Sequence, residues 1–287
     1  MRILDVITAK KPSLSFEVFP PKTDTAFTSV LTATEALARL KPDYMSVTYG
    51  AGGGTSAYTV QIAHHLQEQF GVPALAHLTC VSSTKKEIQG QLEQLKNNGI
   101  TNILALRGDI PNGLKQSDLE YRYASQLIGE IKEYGGFCIG GACYPESHPE
   151  SETCTQDVAY LKKKVESGCE FLTTQMFFDN NILYNFMYRI REAGITVPVV
   201  AGIMPVTNAG QMKRICSISE TALPQRFRRI VDRYGTNPDA MKQAGIAYAT
   251  EQIVDLYANG INAVHVYTMN KPDVAASILQ NINQIIR

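Results

Sequence analysis

A chain of 287 residues with 44% hydrophobic content is long enough to bury a large core, and 27 basic residues balance 27 acidic ones. No block of like charge is longer than Lys162-Lys163-Lys164, which argues against a nucleic-acid or polyanion surface and for a small-molecule task. The opening MRILDVITAKKPS lacks the apolar core and cleavage site of a signal peptide, and no apolar run reaches the length of a membrane span. A cytoplasmic protein with no membrane span is expected.

In chain order, short β-rich runs bounded by turns fall at 14–19 (LSFEVF), 44–49 (YMSVTY), 74–80 (ALAHLTC), 102–107 (NILALR), 137–144 (FCIGGACY), 171–178 (FLTTQMFF), 197–206 (VPVVAGIMPV) and 263–269 (AVHVYTM). The segments between them carry helical periodicity. Ile88, Leu92 and Leu95 follow a Thr84-x-x-Glu87 capping box, and Val274, Ile278, Ile282 and Ile285 recur near the end of the chain. Strands alternating with helices, with no Pro/Gly/Ser linker, predict a single (β/α)₈ barrel spanning 1–287, with a doubly wound open sheet as the alternative. The long interval between the seventh and eighth runs predicts two or three extra helices there. The six cysteines (Cys80, Cys138, Cys143, Cys154, Cys169, Cys216) form no C-x-x-C pair, so neither structural disulfides nor a metal site is expected.

Strand side chains alternate between faces. In SFEVFPPK this turns Leu14, Phe16 and Val18 to the helix layer and Glu17 into the barrel, near the strand end where barrel active sites are built. A buried carboxylate is costly enough to need a partner, a proton or a task. The same alternation puts Thr48, His77, Arg107, Gln175 and Tyr267 at inward or rim positions, with Asp109 just beyond the fourth strand. Singly, each has a plainer reading: His77 as a satisfied core histidine, Thr48 and Gln175 as loop caps, Arg107 as the partner of Asp109. Polar groups from many strands converging at one barrel end point instead to a ligand site. YGAGGGTS (49–56) suits either backbone contact with a ligand or a tight turn, and lacks the spacing of a nucleotide-binding motif. ACYPESHPES (142–151) is a proline-stiffened loop carrying Tyr144 and His148.

SFEVFPPK, SVTYGAGGG, HLTC, LALRGD, YPESHPE, TQMFFD and GIMPV occur in this order at the predicted strand ends, and together they resemble the bacterial methylenetetrahydrofolate reductases over essentially the whole chain. The resemblance implies an FAD-dependent barrel enzyme of one-carbon metabolism. Such an enzyme reduces 5,10-methylenetetrahydrofolate to 5-methyltetrahydrofolate with NADH, by ping-pong hydride transfer through flavin N5. It implies Glu17 as general acid and Asp109 as a carboxylate tuning both flavin and folate. Folate or nicotinamide contacts would come from Thr48, Asp109, Gln175, Gln211, Tyr267 and Lys271. FAD contacts would come from Tyr49, Ala51, His77, Arg107, Gly108, Asp109, Ala124, Tyr144, His148, Ser151, Asp157, Tyr160, Lys163 and Lys164. The charge of Arg107, Lys163 and Lys164 suits a diphosphate; a solvated helix face is the plainer reading of the lysines. Lys271 stands where better-known members carry arginine, and Ile215 where some carry phenylalanine, so a bidentate contact and a stacking surface are both missing. A homo-oligomer is expected, and some relatives take electrons from a partner subunit. The competing readings are another flavin-dependent barrel oxidoreductase and a flavin- or folate-binding subunit of a larger complex.

Overall fold

The computed structural model describes the chain except for residues 10, 22, 50–55, 111, 112, 114–118, 211, 213–220 and 287, and the side chain of Ser56. Eight parallel strands close into a barrel in sequence order: β1 (Ser13–Val18), β2 (Tyr44–Val47), β3 (Ala74–Thr79), β4 (Asn102–Leu106), β5 (Cys138–Cys143), β6 (Phe171–Thr174), β7 (Val199–Ile203) and β8 (Ala263–Tyr267). The last pairing, β1 with β8, sets Ser15 against His265 and Glu17 against Tyr267. All eight predicted strands are present and the open-sheet alternative is excluded.

Around the barrel lie α1 (Ile3–Ile7), α2 (Phe27–Ala38), α3 (Ser56–Phe70), α4 (Lys85–Asn97), α5 (Ala124–Tyr134), α6 (Cys154–Glu166), α7 (Asn180–Glu192), α8 (Gln225–Tyr234), α9 (Pro238–Ala258) and α10 (Pro272–Ile282). The α4 start is the predicted capping box, with Thr84 Oγ1 accepting from Glu87 N and the Glu87 carboxylate accepting from Thr84 N; Ile88, Leu92 and Leu95 form its buried face. In α9 the Asn237 side chain accepts from two backbone N–H groups and Pro238 occupies the first turn, where its missing donor costs nothing. Helices α8 and α9 fill the long interval between β7 and β8. At the C-terminal end, α10 buries Val274, Ile278 and Ile282 but stops before Ile285, which is 39% exposed and outside the predicted stripe.

Two strands are markedly shorter than the sequence predicts. The sixth run stops pairing after Thr174, and Met176 and Phe178 turn into a satellite core with Val206, Phe227, Val231 and Met241 beneath α8 and α9. A continuous apolar run does not distinguish a strand from a loop buried under inserted helices. The seventh likewise ends at Ile203 rather than 206.

The main core lies between strands and helices and includes Leu14, Phe16 and Val18. A second cluster plugs the N-terminal end of the barrel: Ile3 and Ile7 of α1 pack on Tyr44, Leu75, Leu104, Cys138, Phe171, Val200 and Ala263. Buried Asn102 fastens this plug, its Oδ1 accepting from Ile3 N at 2.9 Å and its Nδ2 donating to Met1 O and Ala74 O. Among the described residues, no helix is long and apolar enough to cross a membrane, no acidic, histidine or cysteine cluster has the makings of a metal site, and Cys80, Cys138, Cys143, Cys154 and Cys169 are free thiols. Cys216 lies outside the described residues.

Candidate active site

Above the apolar plug the lumen turns polar, because the inward parity of β1, β2, β3 and β8 brings Ser15 and Glu17, Ser46, His77, and His265 and Tyr267 to the same interior. Glycines make the room. A Cβ at Gly140 would run into the Phe171 ring, and one at Gly202 would come within 2.5 Å of both Thr174 O and Tyr267 Oη. Tyr267 Oη donates to Thr174 O at 2.5 Å, so the ring is pinned across the space that Gly202 leaves.

Glu17 is 8% exposed, and its Oε2 stands 3.8 Å from His77 Nε2 and 3.9 Å from His265 Nε2. Its backbone carbonyl accepts from Thr268 Oγ1 at 2.6 Å, locking the end of β1 to the end of β8. His77, 7% exposed, has no hydrogen-bond partner at Nε2, which departs from the reading of a satisfied core histidine. Burial pushes its imidazole down to about 4, with the Glu17 carboxylate pulling the other way and His265 reinforcing the fall. Burial, then the Glu17 charge, hold the Tyr267 phenol well above its ordinary range.

His265 was not singled out by the sequence. Its Nδ1 lies 2.7 Å from Ser15 Oγ and its Nε2 3.0 Å from Ser46 Oγ; the ring stacks on Tyr44 and meets Tyr267 edge-on. The signal was available, since His265 and Tyr267 share a face of β8 by strand alternation.

The wall from β4 to α6 gathers a second set. Arg107 directs both terminal nitrogens to the Glu150 carboxylate at 2.6 Å, not to Asp109, which is exposed. That bond raises the Arg107 guanidinium and lowers Glu150 below the usual carboxylate range. Gly108 follows with φ +87°, and a Cβ there would crowd Val81 and Thr79 at 3.0 and 3.2 Å, so the turn into Asp109 requires glycine. Tyr144 and His148 meet edge to face at 4.6 Å, and burial lowers the His148 imidazole and raises the Tyr144 phenol. Tyr144 feels the charges of Asp109, Arg107 and Asp157 and is in turn felt by Tyr267, so this wall and the lumen are electrostatic neighbours.

Just ahead of α6, Ser151 Oγ donates to Asp157 Oδ1 in its first turn at 3.1 Å. The two lysines part company. Lys163 is exposed, its Nζ over the Tyr160 ring at 5.6 Å, whereas Lys164 is half-buried and donates to Ala142 O at 2.5 Å, its ammonium pushed down by burial. The solvated-face reading therefore fits Lys163 and not Lys164.

The remaining predicted residues reach the same barrel end along their own strands. Gln175 follows β6, its N–H donating to Cys143 O at 2.7 Å and its side-chain oxygen accepting from Met176 N. Thr48 N donates to Val18 O, and Thr48 O accepts from Thr59 Oγ1 at 2.9 Å. Tyr49 Oη accepts from Gln91 at 2.8 Å, Lys271 Nζ donates to Thr207 Oγ1 at 2.8 Å, and Ala124 opens α5, half-buried. Ala51, Gln211 and Ile215, with most of the YGAGGGTS segment, lie outside the described residues.

A model of the methylenetetrahydrofolate reductase family matches residues 2–283. The chain is 34% identical over 270 residues to 5,10-methylenetetrahydrofolate reductase of Escherichia coli, covering 94% of this chain and 90% of that one. It is also 34% identical over 300 residues to methylenetetrahydrofolate reductase (NADH) 1 of Zea mays, covering 99% of this chain and 50% of the plant protein; it spans about half the length of the plant relatives it matches. Among solved structures, an uncharacterized protein from Clostridium thermocellum that binds two copies of 5-methyl-5,6,7,8-tetrahydrofolic acid has the same fold, with TM-score 0.68 over 99% of both chains at 11% identity.

Proposed function

The chain belongs to the methylenetetrahydrofolate reductase family, and from that premise we propose that it reduces 5,10-methylenetetrahydrofolate to 5-methyltetrahydrofolate at the polar end of the barrel, using FAD and NADH. The observation that carries this reading is the nearly buried Glu17 carboxyl, set among His77, His265 and Tyr267 in the very strand that bears SFEVFPPK.

The residues present suit FAD. Half-buried Lys164, which donates to the backbone carbonyl of Ala142, and exposed Lys163 supply positive charge for a diphosphate; Tyr144 supplies an aromatic face backed edge-on by His148, Gly108 the close backbone approach, and Asp157 an acceptor for a ribose or adenine group. The unpartnered His77 Nε2 offers a polar edge to the same ligand. When bound, FAD supplies the N5 that carries hydride from nicotinamide to folate.

The chain's own work is protonation and orientation. Glu17 donates a proton to the folate so that the five-membered ring opens to a 5-iminium cation ready for hydride. Asp109, exposed at the end of the Gly108 turn, stabilises that cation. Gln175 presents its amide to folate and nicotinamide in turn, Thr48 contacts the nicotinamide, and Lys271 gives the folate a point charge, with Tyr267 closing the far side.

The test separates the two half-reactions. Flavin reduction by NADH requires no proton delivered to folate, so Glu17→Gln leaves anaerobic flavin reduction within about a few-fold, while reoxidation by methylenetetrahydrofolate slows roughly 10²- to 10⁴-fold. Stopped-flow absorbance at matched FAD content reads both rates, and equal slowing of the two would remove the acid role.

A further inference from the structure

The reading of Glu17 as proton donor to folate raises the question of what holds its carboxyl in place, and the inference below rests on that reading. At 3.8 and 3.9 Å the contacts of Oε2 with His77 and His265 are too long for direct hydrogen bonds, so the two imidazoles shape the carboxyl's surroundings by their orientation. They are held differently. His77 Nε2 has no hydrogen-bond partner, whereas His265 is engaged at both ring nitrogens.

The hydroxyls fix its ring plane. Ser15 Oγ stands 3.1 Å from Val264 O and 2.7 Å from His265 Nδ1, and Ser46 Oγ stands 3.0 Å from His265 Nε2, so both ring nitrogens are tied to neighbouring strands. Stacking on Tyr44 with an interplanar angle of 3° and the edge contact with Tyr267 remove the ring's freedom to rotate. A residue 2% exposed at this level of a barrel is more cheaply an aliphatic one, as Val200 and Leu104 are just below. Three buried polar groups, each satisfied by another, instead hold one ring edge rigidly against the Glu17 carboxyl, 3.9 Å away.

We propose that His265, clamped between Ser15 and Ser46, is the positioning residue that holds the Glu17 carboxyl in its proton-donating orientation. It touches neither substrate nor cofactor; its effect passes through Glu17 alone.

The experiment uses the FAD-saturated full chain. His265→Asn keeps a donor near Ser15 but removes the Nε2 edge. We expect NADH reduction of the flavin to stay within about twofold, reoxidation by methylenetetrahydrofolate to slow roughly 10- to 100-fold, and the same change to add less than about twofold in a Glu17→Gln background, since no acid is left to position. Ser46→Ala, which releases one side of the clamp and keeps the ring, gives a smaller loss in the same half-reaction and decides the matter where His265→Asn fails to fold. Equal slowing of both half-reactions, or full multiplication with Glu17→Gln, would make His265 ordinary lumen packing. A parent protein that methylenetetrahydrofolate does not reoxidise would overturn the functional reading itself, before any variant is compared.

Discussion

His77 makes the folded chain sensitive to acid in a calculable way. Burial holds its imidazole at about 4, against an ordinary 6.5 in the unfolded chain. At about 1.4 kcal/mol per pH unit, that gap corresponds to about 3.5 kcal/mol. Between these two values the unfolded chain binds a proton that the folded chain refuses, so stability rises with pH across the window. The contribution is complete above 6.5, is lost progressively as the pH falls, and is gone below about 4. Replacing His77 by Gln removes this titration while keeping a polar side chain of similar reach. Urea unfolding followed by circular dichroism, from about pH 7.5 down to about pH 4.5, gives the unfolding free energy of parent and variant. The parent's should fall relative to the variant's by about 2.5 kcal/mol over that range. Parallel curves with a constant gap would mean that His77 takes up its proton as readily in the folded chain as in the unfolded one, and the argument from burial would fail.

Two further outcomes follow from the barrel's packing and its α6 wall. Gly202→Ala drives a methyl to within 2.5 Å of Thr174 O and Tyr267 Oη, and is expected to cost about 1–3 kcal/mol and to lower the thermal midpoint; an unchanged midpoint would show that β7 shifts to admit it. Lys163→Ala is expected to weaken FAD binding in an equilibrium titration without changing stability, whereas Lys164→Ala does both, because Ala142 O loses its donor at a cost of about 1 kcal/mol. Equal FAD affinity in both variants and the parent would return Lys163 to a solvated helix face and Lys164 to a purely structural role.

The fold was legible because a parallel barrel imposes one rule on every strand. Alternation turned Leu14, Phe16 and Val18 outward and Glu17 inward from six letters of sequence, and the partners of β1 confirm that parity residue by residue. Strand ends were less legible. Nothing in FLTTQMFF announces that Met176 and Phe178 pack beneath helices whose own residues lie some fifty positions further on. The Arg107–Glu150 bond was invisible for the same reason: it joins residues 43 apart through the path of a loop, while Asp109 stood two positions away and looked the better partner. His265 differs, since its parity with Tyr267 was readable and only its two serine partners, 219 and 250 positions away, required three dimensions.

The plug that α1 makes with Tyr44, Phe171 and Val200 turns the barrel from a tube into a cup. Among the described residues Ile3 and Ile7 close the N-terminal end, so the approach to Glu17 lies at the end where Arg107 and Tyr144 stand. On the proposed reductase reading, nicotinamide and folate would use that approach in turn, and each would compete with the other when in excess.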